Sequence, residues 1–118
     1  MHEKRKHARK HLGCTFKVSD INSNQILGCM VDLSMDGFML LTDKIHEAGT
    51  ILQLRVDFTG EVNGVSHIEL GAESLWAGAA NKANHFWAGF RIIDLSDSAA
   101  AAINVVIENS QSTDTEQA

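Results

Sequence analysis

The 118-residue chain has a hydrophobic share of 44% and a charged share of 21%, the proportions of one ordinary globular domain with a core that needs no metal or disulfide to stand. Its net charge of −5 is unevenly spread, because Lys4, Arg5, Lys6, Arg9 and Lys10 face only Glu3 in the first ten residues, leaving that arm at +4 and the remainder at −9. An acidic body with a short basic arm argues against a general nucleic-acid binder, and the lack of any apolar run near ~20 residues, with a charged rather than leader-like start, predicts a cytoplasmic chain without membrane insertion.

Residues 1–11 are expected to form a flexible basic arm, too polar to dock by burying surface. The first strand spans 12–18, where Leu12, Cys14, Phe16 and Val18 alternate with Gly13, Thr15 and Lys17. After the polar turn Asp20 to Gln25, a second strand over 26–33 places Leu27, Cys29, Val31 and Leu33 inward. This hairpin returns the end of the second strand, with Asp32 and Ser34, towards the arm. Cys14 and Cys29 lack metal-site spacing and read as two buried thiols; should they face each other across the hairpin, an artefactual disulfide can form in oxidised samples.

Gly37 permits either a reversal at positive φ or a close backbone approach, and a third strand follows over 38–42. The fourth strand, 51–58, puts Leu52, Leu54, Val56 and Phe58 on one face; Gly60 to Gly64 reads as a loop. Strands over 68–77 and 86–93 are joined through the polar stretch 81–85. Ser96 then caps a helix with Asp97 in its first turn and Ile103, Val106 and Ile107 along one face. The polar tail 110–118 is expected to be disordered. Six antiparallel strands and one helix predict a closed barrel or a strongly curled sandwich.

Two short segments carry more. Arg5-Lys6-His7-Ala8-Arg9 and Asp32-Leu33-Ser34-Met35-Asp36-Gly37, in this order, resemble the RxxxR and (D/N)xSxxG signature of PilZ domains, bacterial receptors for cyclic di-GMP. The resemblance runs from Glu3 to about Glu108 and includes Ser74-Leu75-Trp76 and the stretch from Ala88 to Ser96. It implies an all-β fold, a six-stranded antiparallel PilZ-like β-barrel with a C-terminal α-helix, occupying residues 12–109. It also implies a receptor that is not an enzyme, binds cyclic di-GMP without a further cofactor, and signals to an unidentified downstream protein.

By the same resemblance, Arg5 and Arg9 clamp the ligand, and Asp32, Ser34 and Gly37 complete the site. The residue types suit that chemistry. An arginine fork can bind phosphate bidentately, pair with the O6/N7 edge of guanine, or stack on the base. An ionised Asp32 offers only acceptors, which suit the N1–H and N2–H2 donors of guanine rather than a phosphate. Ser34 can donate to a phosphate oxygen, and Gly37 would let the backbone approach the ligand. The competing role for Asp32 and Ser34 is local stabilisation of the turn. Lys4, beside Arg5, does not settle whether one or two ligand molecules bind.

Among the six histidines His7 and His11 stand four apart, but His2, His46, His67 and His85 are scattered without partners at ligand spacing, so no metal site is expected. Trp76 and Trp87 read as packing residues rather than a base-stacking platform. No Ser-His-Asp order, phosphate loop or acid pair stands out. The alternative to a nucleotide receptor is a PilZ-like adaptor acting by protein contact alone. The motif arginines, Asp32, Ser34 and Gly37 together argue for the receptor.

Overall fold

A computed structural model describes residues 10–109; the expectations for residues 1–9 and for the tail 110–118 lie outside the described residues. The chain forms β1 (Lys10–Asp20), β2 (Gln25–Leu33), β3 (Gly37–Thr42), β4 (Ile51–Val62), β5 (Val65–Ala79), β6 (Phe86–Leu95) and α1 (Asp97–Asn109). All strand pairs are antiparallel, in the order β1-β2-β3-β6-β5-β4, and β1 closes on β4 through Lys17↔Asp57 to Asp20↔Leu54. The fold is therefore the closed six-stranded barrel with a C-terminal helix, its β1–β4 seam made by those four pairs.

Alternating apolar residues fill the interior. Val18, Leu54, Val56, Leu40, Leu33 and Phe38 are essentially removed from solvent, and each such side chain contributes about 1.5–3 kcal/mol of burial. The rings of Phe38 and Phe90 stack at 5.3 Å and those of Phe16 and Phe58 meet edge to face at 5.0 Å. Ser96 Oγ accepts from the Ala99 amide at 3.1 Å, which caps α1 as expected. The helix buries Ala99, Ala102, Ile103 and Val106 in the same core, with Ile107 partly covered.

Three local expectations are corrected. In β2 the inward set is Leu27, Met30 and Leu33; Cys29 and Val31 are only half-buried. The reason is two register shifts. Ser19 and Val18 pair with Ile26 and Gly28, leaving Leu27 as an extra residue, and Leu40 and Met39 pair with Met30 and Asp32, leaving Val31 as another. Each bulge reverses the face presented to the core. Second, the expected loop over 60–64 is a tight hairpin, since β4 continues to Val62 and pairs with Val65. Asn63 and Gly64 alone make the reversal, both in the left-handed region at φ 52° and 85°, the geometry that matches strand twist. Third, Cys14 and Cys29 are not separate buried thiols but a bonded pair with Cα atoms 4.9 Å apart.

Candidate functional site

The turn between β2 and β3 is organised by one hydroxyl. Ser34, 4% exposed, accepts through Oγ from the amides of Asp36 (3.2 Å) and Gly37 (3.3 Å) and donates to the Gly37 carbonyl (3.3 Å). The Ser34 amide also donates to the Gly37 carbonyl at 2.9 Å, closing the turn. Both acceptor positions and the single donor of the hydroxyl are thus engaged within the turn. Asp36 extends the anchoring, its carbonyl accepting from the Ile92 amide of β6 at 2.9 Å.

Gly37 does not use a left-handed backbone. Its role in the fold is close approach: a Cβ there would collide with the carbonyl oxygen of Phe90 on β6. The turn is therefore pressed onto the β3–β6 seam, which fixes where Asp32 and the start of β3 lie.

Asp32 alternates with core Leu33 and so belongs to the outer wall, yet it is only 6% exposed. Its backbone pairs with His11 of β1 on one side and Met39 of β3 on the other. Met39 pairs with Gly89 of β6, and Gly89 with Trp76 of β5. One cross-strand row thus runs from the base of the arm, through Asp32, to Trp76. Four strands at about 4.8 Å spacing make the wall from Asp32 to Trp76 about 14 Å wide.

Trp76 was expected to pack in the core or on the barrel surface, and its ring packs on the surface. The indole occupies the space over Gly89 where a Cβ would stand, and the residue is 49% exposed. Two residues along β6 on the same face, Arg91 pairs by register with Gly37 and forms an ion pair with Glu73 of β5. Its side chain is 59% exposed. From sequence, Met39 and Arg91 do not stand out as site candidates, and Trp76, weighed as a base-stacking surface, reads as packing. The available signal was Gly89, a glycine inside an otherwise bulky strand, which marks a place where something large lies against the backbone.

Arg5 and Arg9 lie outside the described residues; the described chain places His11, two residues after Arg9, in register with Asp32. No grouping of three His, Cys, Asp or Glu able to hold a metal occurs among the described residues.

The model of the PilZ domain family matches residues 3–108. The chain belongs to the PilZ family. Solved structures similar to this PilZ chain include the PilZ domain of YcgR from Escherichia coli with c-di-GMP, with a TM-score of 0.69, 16% identity and 92% of each chain covered. The inhibitor of motility MotI/DgrA from Bacillus subtilis is similar at a TM-score of 0.71 and 14% identity, over 91% of this chain and 51% of that one. YcgR from Escherichia coli in complex with c-di-GMP has a TM-score of 0.66 and 16% identity, over 90% of this chain and 45% of that one. At these identities the likeness is one of fold. No curated protein matches the chain. No helix of the described PilZ chain is long and apolar enough to cross a membrane.

Proposed function

We propose that this PilZ chain is a cytoplasmic, non-enzymatic receptor for cyclic di-GMP. The observation that carries the reading is the His11↔Asp32 register, which pairs the start of β1, two residues after Arg9, with the acidic Asp32 of β2. In this reading Arg5 and Arg9 take the two phosphates and the base edges, Asp32 takes the donor edge of one guanine, and Trp76 offers its exposed ring as a surface for a base. Ser34 and Gly37 act by shaping and seating the turn rather than by touching ligand. Lys10 and His11, expected as the end of the arm, already belong to β1, so binding pins the part of the arm that precedes them and so creates a composite surface that a downstream protein recognises. The cost of ordering is about 1–2 kcal/mol per backbone residue, which limits how much of the arm one ligand can fix.

A second reading, an adaptor without nucleotide, is favoured by one observation. The Ser34 hydroxyl and the side-chain-free Gly37 each have a complete structural role, so an adaptor needs both as much as a receptor does. Discrimination rests on Arg5, Arg9 and Asp32. Titration calorimetry of the full chain with cyclic di-GMP, against an Arg5→Ala, Arg9→Ala double variant, separates the readings. Each lost charge-assisted contact should cost on the order of 1.5–3 kcal/mol, about one to two decades of affinity, with thermal stability unchanged. Equal affinity in both proteins, or no binding by either, would exclude the receptor as described.

A further inference from the structure

Cys14 and Cys29 are joined across the β1–β2 pair, their Cα atoms 4.9 Å apart, inside the span that a disulfide requires. The join lies in an unusual stretch of β1. Regular pairing with β2 is lost between His11 and Phe16, and inside that interval Gly13 and Cys14 both adopt left-handed backbone, at φ 68° and 64°. That conformation suits glycine and is unfavourable for cysteine, so the Cys14 position is one that its surroundings must hold. On one side of the interval lie the pairs Lys10↔Leu33 and His11↔Asp32; on the other lies the core pair Phe16↔Met30. The covalent link therefore ties down the segment that separates the barrel from the base of the arm.

Both cysteines are half-buried and line an open hollow of about 470 Å³ together with Lys17, Lys82, His85 and Asp43. Cations beside a thiol favour its thiolate, the reactive form, and attract an anionic partner.

We propose that Cys14 and Cys29 are a reversible dithiol–disulfide pair that reacts with small anionic disulfides in this hollow, and that its state sets the β1 register at Asp32. One protein thiolate attacks the small disulfide, forming a mixed disulfide and releasing one small thiolate, which takes up a proton. The second cysteine loses its proton and attacks the protein sulfur of the mixed disulfide, releasing the second small thiol. Two protein thiols and one small disulfide become one protein disulfide and two small thiols, with two electrons passing to the small disulfide. The oxidised state holds His11 opposite Asp32; the reduced state frees Cys14 to leave its left-handed conformation and loosens that pairing. The consequence for cyclic di-GMP rests on the receptor reading.

The full chain, equilibrated in mixtures of reduced and oxidised glutathione and then alkylated, should move between two labelled thiols and none in one reversible step by mass spectrometry. Amide shifts should change between the two states at residues 10–16 and 29–33. Oxidation by glutathione disulfide should slow in a Lys17→Glu, Lys82→Glu variant several-fold more than oxidation by uncharged hydroxyethyl disulfide does. Reduction should weaken cyclic di-GMP binding by about fivefold or more. Accumulation of singly glutathionylated chain without the internal disulfide, or amide shifts at residues 10–16 that ignore oxidation, would overturn the proposal. Equal affinity in the two states overturns the coupling to ligand. Absence of binding in both states, with the shifts intact, instead overturns the receptor reading and supports a redox pair that stands without it.

Discussion

Ser34 and Asp32 sit two residues apart in one motif, yet they do different physical work. Ser34→Ala removes the acceptor for two amides in a buried turn, which should cost about 1–3 kcal/mol of stability in urea unfolding. If the hydroxyl acts only through the turn, the affinity of the still-folded variant for cyclic di-GMP should fall less than that of the arginine variants. In the proposed receptor reading, Asp32 is the residue for base choice. Asp32→Ala should weaken cyclic di-GMP far more than cyclic di-AMP, whose adenines lack the N1–H and N2–H2 donors, so that discrimination between the two ligands shrinks. Parallel losses for both ligands in competition titrations would instead mean that Asp32 only shapes the wall.

Among the elements, α1 and the β2–β3 turn show how local chemistry positions larger pieces. The Ser96 cap satisfies an amide at the start of α1, and that helix delivers Ala99, Ala102, Ile103 and Val106 to the core. Ser96→Ala should therefore lower unfolding free energy by about 0.5–2 kcal/mol while leaving the outer wall, and ligand affinity, unchanged. Chemical denaturation with a ligand titration at a temperature well inside the folded range checks both halves. The wall is a different case, because its row Asp32, Met39, Gly89, Trp76 spans four strands and exists only when β3 is paired with both β2 and β6.

For the whole molecule, closure of the barrel and the charge distribution set the behaviour. In the receptor reading, a body at −9 does not attract a dianionic ligand at long range, so the arm at +4 has to supply that attraction. Raising ionic strength from about 0.01 to 1 M shortens the screening length from about 30 to 3 Å. Cyclic di-GMP affinity should accordingly fall with added salt, and the slope should flatten in the Arg5→Ala, Arg9→Ala variant. Calorimetry across a salt series measures both slopes; equal slopes would remove the phosphates from the contact with the arm.

Sequence alone determined what short windows can encode. Period-two alternation, as in Leu52, Leu54, Val56 and Phe58, marked the strands, and Ser96 followed by Asp97 marked the start of the helix. The Asp32 to Gly37 motif likewise shows in the chain itself, because its spacing is local. What only the tertiary structure decided depends on which backbone lies opposite which. Leu27 and Val31 became bulge residues when β2 had to match neighbours on both sides of a closed barrel, and this turned Met30 inward in place of Cys29 and Val31. The need for glycine at position 37 comes from the Phe90 carbonyl, and the outward seat of Trp76 from the extra residue Leu75 between the pairs Ser74↔Phe90 and Trp76↔Gly89, with the space over Gly89 receiving the ring. Alternation assigns a face only while register is unbroken; a single extra residue reverses it, and barrel closure, a property of all six strands together, sets where those residues fall.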